Sequence, residues 1–315
     1  MMKVAVLDDY LQVAELVAPW REHLPATEII CFRDPLGGVE EAAAALRDFQ
    51  VVVAMRERTA FPRELLSQLP QLRLLVTTGM RNAAIDVTAA KELGITVCGT
   101  RAEGASTAEL TWALILALLR PVQLDDAHVR AGGWQRRLGE DLRGRTLGLV
   151  GLGRQGARVA RVADAFGMNV VAWSPHLTQG RAAEHGARSV TKHEVFALAD
   201  VASVHLVLSD ATRGIVGAPE LRALGQDGYL VNTARAALVD QAALRQALDC
   251  SWIAGAGLDV YDIEPLPGDH WLRTAPRAIL SPHMGYVSAN GYRLFYGDAV
   301  EDIAAYLRGE PVRTL

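Results

Sequence analysis

Residues 146–156, TLGLVGLGRQG, constrain the fold of this chain more than any other stretch. Leu147, Leu149 and Val150 form an apolar run with the character of a buried strand, and Gly151-Leu152-Gly153-Arg154-Gln155-Gly156 follows without a break. Residues 157–166 then place Val159, Val162, Ala163 and Phe166 at helical spacing. A GxGxxG set between a strand and a helix is the fingerprint of a dinucleotide-binding unit, because each glycine has its own task. Gly151 permits a tight turn, Gly153 lets backbone approach a pyrophosphate, and Gly156 lets the helix pack close to the strand. The unpaired N–H groups of the first helical turn, and the helix dipole, then face the phosphates.

The chain has 315 residues, enough for two domains with separate cores. Half the residues are hydrophobic and 22% are charged, the balance of an ordinary globular protein. A formal net charge of −4 offers no electrostatic basis for binding nucleic acid or an anionic membrane. The N-terminal MMKVAVLDDY reads as a short strand with acids behind it rather than a signal peptide. The longest apolar run, residues 112–119, is too short to span a bilayer. Cys31, Cys98 and Cys250 lie far apart without ligand spacing, which predicts buried thiols in a reducing compartment. No pair of histidines has metal-ligand spacing, so no metal is predicted. The expectation is a cytoplasmic protein acting on a small molecule.

Strand and helix alternate through the first hundred residues. Strands are predicted at 4–7, 28–32, 51–55, 72–77 and 95–98, with helices at 40–49 and 62–69, where Pro62 suits a first helical turn. This alternation implies a parallel sheet covered on both faces. Its fourth strand runs into Thr77-Thr78-Gly79-Met80-Arg81-Asn82. Ligands bind beyond the carboxyl ends of strands in open α/β sheets, which makes Gly79, Met80, Arg81 and Asn82 candidate substrate contacts. Residues 105–119 form a helix apolar on nearly every face, which must be buried on more than one side, by crossing between domains, lining a subunit interface, or both. Pro121 ends it, and a charged helix and a Gly-Gly-Trp break follow. From residue 146 six strands are predicted, at 147–150, 170–173, 201–206, 229–232, 253–258 and 278–281, and residues 290–307 are again helical. The predicted class is α/β with two doubly wound parallel-sheet domains. The second, a Rossmann dinucleotide domain over 103–287, is inserted into a discontinuous substrate domain made of 1–102 and 288–315.

Three of the late strands end on groups that carry chemistry. Residues 229–235, YLVNTAR, end on a cation; 257–265, GLDVYDIEP, end on acids; and 281–285, SPHMG, end on a histidine. In this order after GLGRQG, and with the RAGGW of 130–134 and the TRG of 212–214, the chain resembles the D-isomer-specific 2-hydroxyacid dehydrogenase family from its first strand to its C-terminal helix.

The resemblance implies a role for each matching position. Arg235 would grip the substrate's carboxylate and 2-oxo oxygen, a task suited to a planar guanidinium fork. His283 would protonate that oxygen as hydride arrives, and take the proton back in the reverse reaction. Glu264 would hold the other imidazole nitrogen. The cofactor would lie on Gly151, Gly153, Arg154, Gln155 and Gly156, on Ser174, His205 and Thr212, and, around its nicotinamide, on Thr233, Ala234, Asp259 and Gly285. The loop Gly79, Met80, Arg81 and Asn82 would offer backbone N–H groups to the substrate carboxylate. The family habit, with the apolar helix at 105–119, implies a homodimer. No C-terminal regulatory domain is expected after the last helix.

Two positions depart from the family pattern. NAD-specific members carry an acid about twenty residues after the glycines, at the end of the second strand, where this chain has Ser174. A serine does not repel a 2′-phosphate, so NAD and NADP are both open, NAD slightly ahead. Tyr286 stands where the family often has a second glycine after PHxG, and Arg81 would add an anion contact. The first functional expectation is a reductase of a small 2-oxo acid such as glyoxylate or hydroxypyruvate. The alternative is a nucleotide-sensing interaction protein of the corepressor type on the same fold.

Overall fold

The computed structural model describes residues 1–315. The chain begins with β1 (Met2–Val6), α1 (Ala14–Val17), α2 (Trp20–His23), β2 (Thr27–Cys31), α3 (Val39–Leu46), β3 (Val51–Ala54), α4 (Arg63–Ser67), β4 (Leu74–Thr77), α5 (Val87–Glu92) and β5 (Thr96–Gly99). Next come α6 (Ala105–Leu119), α7 (Val122–Arg130), β6 (Thr146–Val150), α8 (Arg154–Ala165), β7 (Asn169–Trp173), α9 (Gln179–Ala183), β8 (Arg188–Ser189) and α10 (Lys192–Ala197). The order then runs β9 (Val201–Val204), α11 (Ala218–Leu224), β10 (Tyr229–Asn232), α12 (Gln241–Asp249), β11 (Gly255–Leu258), β12 (Ala278–Leu280) and α13 (Ala289–Leu307). Backbone packing divides the chain into unit 1, Met1–Glu103 with Ser288–Leu315, and unit 2, Gly104–Val287.

Unit 1 is built on a five-stranded parallel sheet of order β2-β1-β3-β4-β5. Its inner strands are unbroken apolar runs, as VVVA in β3, because helices cover both faces. Leu46, Phe61, Leu65, Leu66 and Leu75 fill the core. α13 packs on α1, α2 and β4 and buries Tyr292, Phe295, Tyr296 and Ile303. After α13 the chain returns to the sheet. Gly99 N donates to Arg313 O and Leu315 N to Val97 O, both at 2.9 Å, so the tail covers the β5 edge as an antiparallel bridge. Pro62 stands one residue before α4 as an extended cap, outside the first turn where the sequence placed it.

Unit 2 has seven parallel strands in the order β12-β11-β10-β9-β6-β7-β8. The strand the sequence missed, β8, is only Arg188 and Ser189, an edge dipeptide with no apolar run to announce it. The inward face of α8 is Gly156, Val159, Ala160 and Ala163. Val162 and Phe166, also expected there, are each 37% exposed, although the Phe166 ring still packs on Trp112. α6 lies on β10, β11, β12 and α8, with Trp112, Leu114, Ile115 and Leu119 buried. Each such side chain contributes about 2 kcal/mol. No single helix is long and apolar enough to cross a membrane. Among the cysteines only Cys98 is buried; Cys31 is half-buried and Cys250 exposed, against the expectation of three buried thiols.

Two buried acids tie α13 into unit 1. Asp298 takes a two-pronged contact from Arg101, Nε to Oδ2 at 3.0 Å and Nη2 to Oδ1 at 2.6 Å. Asp302, fully buried, takes Arg313 Nε at 2.9 Å, while its Oδ2 has no hydrogen-bond partner. Burial pushes the Asp302 carboxyl up to about 7, against the pull of Arg313. A folded-state value above the unfolded one gives stability that is complete at low pH and lost as pH rises toward 7. Asp302→Asn, neutral throughout, lacks this loss. Its Tm relative to wild type is expected to rise by about 3 °C or more between pH 5 and pH 8 in thermal melts. A constant difference would show that Asp302 is ionised across the range.

Candidate active site

β6 lies between β9 and β7, where the sheet order of unit 2 reverses, and the glycine turn follows it directly. Such a switch point opens a crevice beyond the carboxyl ends of the strands. Gly151 has φ 110°, and a Cβ there would sit 2.8 Å from the His205 carbonyl carbon. A Cβ on Gly156 would fall 2.2 Å from Gly151 O. Both glycines are therefore demanded by the protein itself. A Cβ on Gly153 would meet nothing within 4 Å. This residue is also the cap of α8 and brings no side-chain bond to the first-turn N–H groups. Open space above Gly153 and uncapped donors behind it fit a pyrophosphate.

The neighbours of the turn have defined partners. Ser174 Oγ accepts from Leu152 N at 3.0 Å, joining the end of β7 to the glycine turn. The Gln155 side-chain nitrogen lies beside Gly104, 2.9 Å from where a Cβ there would stand. His205 Nε2 lies 3.0 Å from Ser203 Oγ, and burial pushes its ring down to about 4. Thr212 Oγ1 donates to Val207 O at 2.7 Å and accepts from Ser209 N at 2.8 Å, closing its own loop.

The carboxyl ends of β10, β11 and β12 hold the candidate catalytic groups. Asn232, 1% exposed, accepts from Ala234 N and donates to Arg235 O, so it shapes the loop of Thr233, Ala234 and Arg235. Arg235 Nη1 donates to Ala234 O at 2.7 Å. Glu264 Oε2 stands 2.6 Å from His283 Nδ1, and its Oε1 accepts from Tyr261 N at 2.9 Å. The carboxylate is thus oriented by backbone and the ring by the carboxylate, leaving Nε2 for a ligand. The Tyr286 ring meets the His283 ring edge-on at 5.3 Å. His283 has φ 55°, a left-handed conformation that costs a non-glycine residue about 1–2 kcal/mol. Asp259 holds the turn, accepting from Met284 N at 2.7 Å and Gly285 N at 2.8 Å. Burial raises its carboxyl above the usual range, opposed by the Ser281, Met284 and Gly285 donors. Asp259 and Gly285, predicted as cofactor contacts, are therefore also parts of the histidine turn.

The loop at the end of β4 in unit 1 differs from its expected use. Gly79 N already donates to Thr100 Oγ1 at 2.8 Å. Asn82 is spent within the loop, its Nδ2 on Thr77 Oγ1 at 2.8 Å and its Oδ1 on Ala84 N at 2.9 Å. Of the four candidates, Met80 and Arg81 are the exposed ones. The sequence reading missed Arg56, whose Nη1 donates to Thr78 O at 3.0 Å and lies over Gly79. It also missed Arg58, which stacks over the Tyr10 ring at 4.4 Å. The signal was present, since MRERT follows β3 as TTGMRN follows β4, at the same edge of the sheet.

A dinucleotide turn and a carboxylate-held imidazole on one sheet edge describe a nicotinamide-dependent oxidoreductase, and comparison with known proteins narrows that class. The family model described as D-isomer specific 2-hydroxyacid dehydrogenase, NAD binding domain, matches residues 112–285. A glyoxylate reductase of Aeropyrum pernix is 38% identical over 257 residues, covering 78% of this chain and 77% of its own. A D-3-phosphoglycerate dehydrogenase of Bacillus subtilis is 33% identical over 277 residues, and this chain spans 52% of its length. The crystal structure of a phosphoglycerate oxidoreductase from Vibrio cholerae O395 superposes with a TM-score of 0.92 at 37% identity, covering 98% of this chain and all of that one. The chain belongs to the D-isomer-specific 2-hydroxyacid dehydrogenase family.

The glycine geometry separates folding from binding. Gly153→Ala meets no protein atom, so Tm should stay within about 2 °C of wild type while the Kd for NADH, by fluorescence titration, rises at least tenfold, roughly 1.4 kcal/mol. Gly151→Ala should instead lose about 1–3 kcal/mol of stability through backbone strain alone. Unchanged NADH affinity in Gly153→Ala would remove the pyrophosphate from this turn.

Proposed function

We propose that this protein reduces a small 2-oxo acid to the D-2-hydroxy acid with NADH or NADPH. The observation that carries the reading is the 2.6 Å contact of Glu264 with His283 Nδ1, on a strand edge shared with Arg235. When bound, the reduced nicotinamide supplies a hydride to the 2-oxo carbon. Arg235 pairs with the carboxylate and draws charge toward the 2-oxo oxygen. His283, doubly protonated, gives its Nε2 proton to that oxygen and keeps its Nδ1 proton on Glu264. In the reverse direction neutral Nε2 takes the hydroxyl proton. The relatives are named for glyoxylate and for D-3-phosphoglycerate, which favours a small 2-oxo acid of that kind as substrate.

Ser174 in place of an acid leaves both cofactors acceptable. A panel of 2-oxo acids followed by NADH and NADPH oxidation should give turnover with both, differing less than about a hundredfold, or roughly 3 kcal/mol. His283→Ala should lose at least about a hundredfold in either direction. Glu264→Gln removes the carboxylate that orients the ring, so kcat for reduction should fall at least about tenfold while the Kd for NADH stays within about twofold. An unchanged kcat in Glu264→Gln would separate Glu264 from the proton transfer, and a panel without turnover would refute the reading.

The protein acts as a homodimer in this reading, and α6 itself exposes no large apolar side chain. The exposed apolar side chains lie just after it. Val122, Leu124, Val129, Trp134 and Leu138 all fall within seventeen residues, and Trp134 and Val129 line a groove of about 430 Å³. Monomers rarely leave so many large apolar groups uncovered in one segment. Light scattering at micromolar concentration should give twice the 34.0 kDa of the chain, and Trp134→Glu with Leu124→Glu should halve it. A wild-type monomer would refute this assignment.

A further inference from the structure

α6 is an apolar helix with four polar residues, Ser106, Thr107, Glu109 and Thr111, and three of these carry hydroxyls. Threonine inside a helix is disfavoured unless its hydroxyl has a task. All three hydroxyls reach the candidate catalytic loops of unit 2. Ser106 Oγ donates to Gly285 O at 3.0 Å and Thr107 Oγ1 to the same oxygen at 2.7 Å. Thr111 Oγ1 lies 2.9 Å from Thr233 Oγ1 and 2.8 Å from Thr107 O. Gly285 is two residues beyond His283, and Thr233 is two residues before Arg235.

We infer that Ser106 and Thr107 are positioning residues that act on His283 through the Gly285 carbonyl. The inference rests on the reading of His283 as proton donor. The histidine turn is held from both sides. Its N–H groups at 284 and 285 go to Asp259, at 2.7 and 2.8 Å, and its carbonyl at 285 goes to α6. The Thr107 methyl closes on the same place, 3.4 Å from where a Cβ of Gly285 would stand. His283 occupies a left-handed conformation that persists only where its surroundings over-determine it. Asp259 alone fixes the peptides on one face of the turn and leaves the 285–286 peptide to swing. The two hydroxyls stop that motion, so the ring keeps Nδ1 on Glu264 and presents Nε2 in one direction. Thr111 continues the arrangement to the arginine loop, one helical turn along the same face.

Ser106→Ala combined with Thr107→Val removes both hydroxyls and retains the branched shape beside Gly285. We expect kcat for 2-oxo acid reduction to fall at least about tenfold, because small misplacements of a reacting group cost that much or more. The Kd for NADH should stay within about twofold and Tm within a few degrees, since the buried apolar residues of α6 are untouched. Thr107→Ser, which restores a hydroxyl without the methyl, should recover kcat to within about twofold of wild type. Should the double variant not fold, Thr107→Val alone carries the same expectation with Thr107→Ser as its control. Wild-type kcat in the hydroxyl-free variants, or an equal loss in Thr107→Ser, overturns the inference while leaving His283 in its role. An inactive wild type, or an active His283→Ala, overturns the reading of His283 and this inference together.

Discussion

The distance between α6 and β11 sets the geometry of the edge that carries the histidine. A Cβ at Gly257 would stand 3.1 Å from Leu114 Cβ, and one at Gly255 would stand 3.5 Å from Leu118 Cδ2. The Gly-Ala-Gly of this strand therefore admits the helix to a depth that larger residues would prevent. At that depth Leu114, Ile115 and Leu119 are buried, and Trp112 Nε1 reaches Val159 O on α8 at 3.2 Å. The same depth brings Ser106 and Thr107 within hydrogen-bond range of the turn after β12. Apolar packing here has a polar outcome, because the helix that fills the core also fixes where a carbonyl near the imidazole lies.

Burial separates the two histidines that sit at strand ends of unit 2. His205, bonded to Ser203 beside the glycine turn, is kept neutral down to about pH 4. His283 has a carboxylate on one nitrogen and an aromatic edge beside it. The two rings differ in their surroundings, since β9, before His205, is buried throughout and β12, before His283, only in part.

The two-sheet α/β class was legible in the sequence because its signals are local. An apolar run, three glycines and a helical stripe within about twenty residues report β6, the turn and α8 without reference to anything distant. β8 was not legible, because two polar residues at a sheet edge have no pattern of their own. The helix at 105–119 was read to the residue, but the apolar surface assigned to it lies on residues 122–138, since hydrophobicity alone does not say whether a neighbour already covers a face. The hydroxyl contacts of Ser106 and Thr107 join residues nearly 180 positions apart and leave no periodicity. Gly79 was expected to present its N–H, yet Thr100, just past the end of β5, takes it. Whether a donor is free is a tertiary fact, and a loop sequence does not record it.

Unit 1 is assembled from both ends of the chain, and this fixes an order of events during synthesis. Unit 2 is continuous and complete once Val287 has emerged. Unit 1 at that moment has all five strands, yet lacks α13 on β4 and the Arg313–Leu315 segment on the β5 edge. The interval between the two halves is on the order of tens of seconds at ordinary rates of chain elongation. Throughout it, the apolar face that later receives Tyr292, Phe295 and Tyr296 is open, and β5 presents an unpaired edge. The newborn chain is therefore most exposed to mispairing with its neighbours on the ribosome in its first domain rather than its last, and it is this unit that most needs a chaperone's cover.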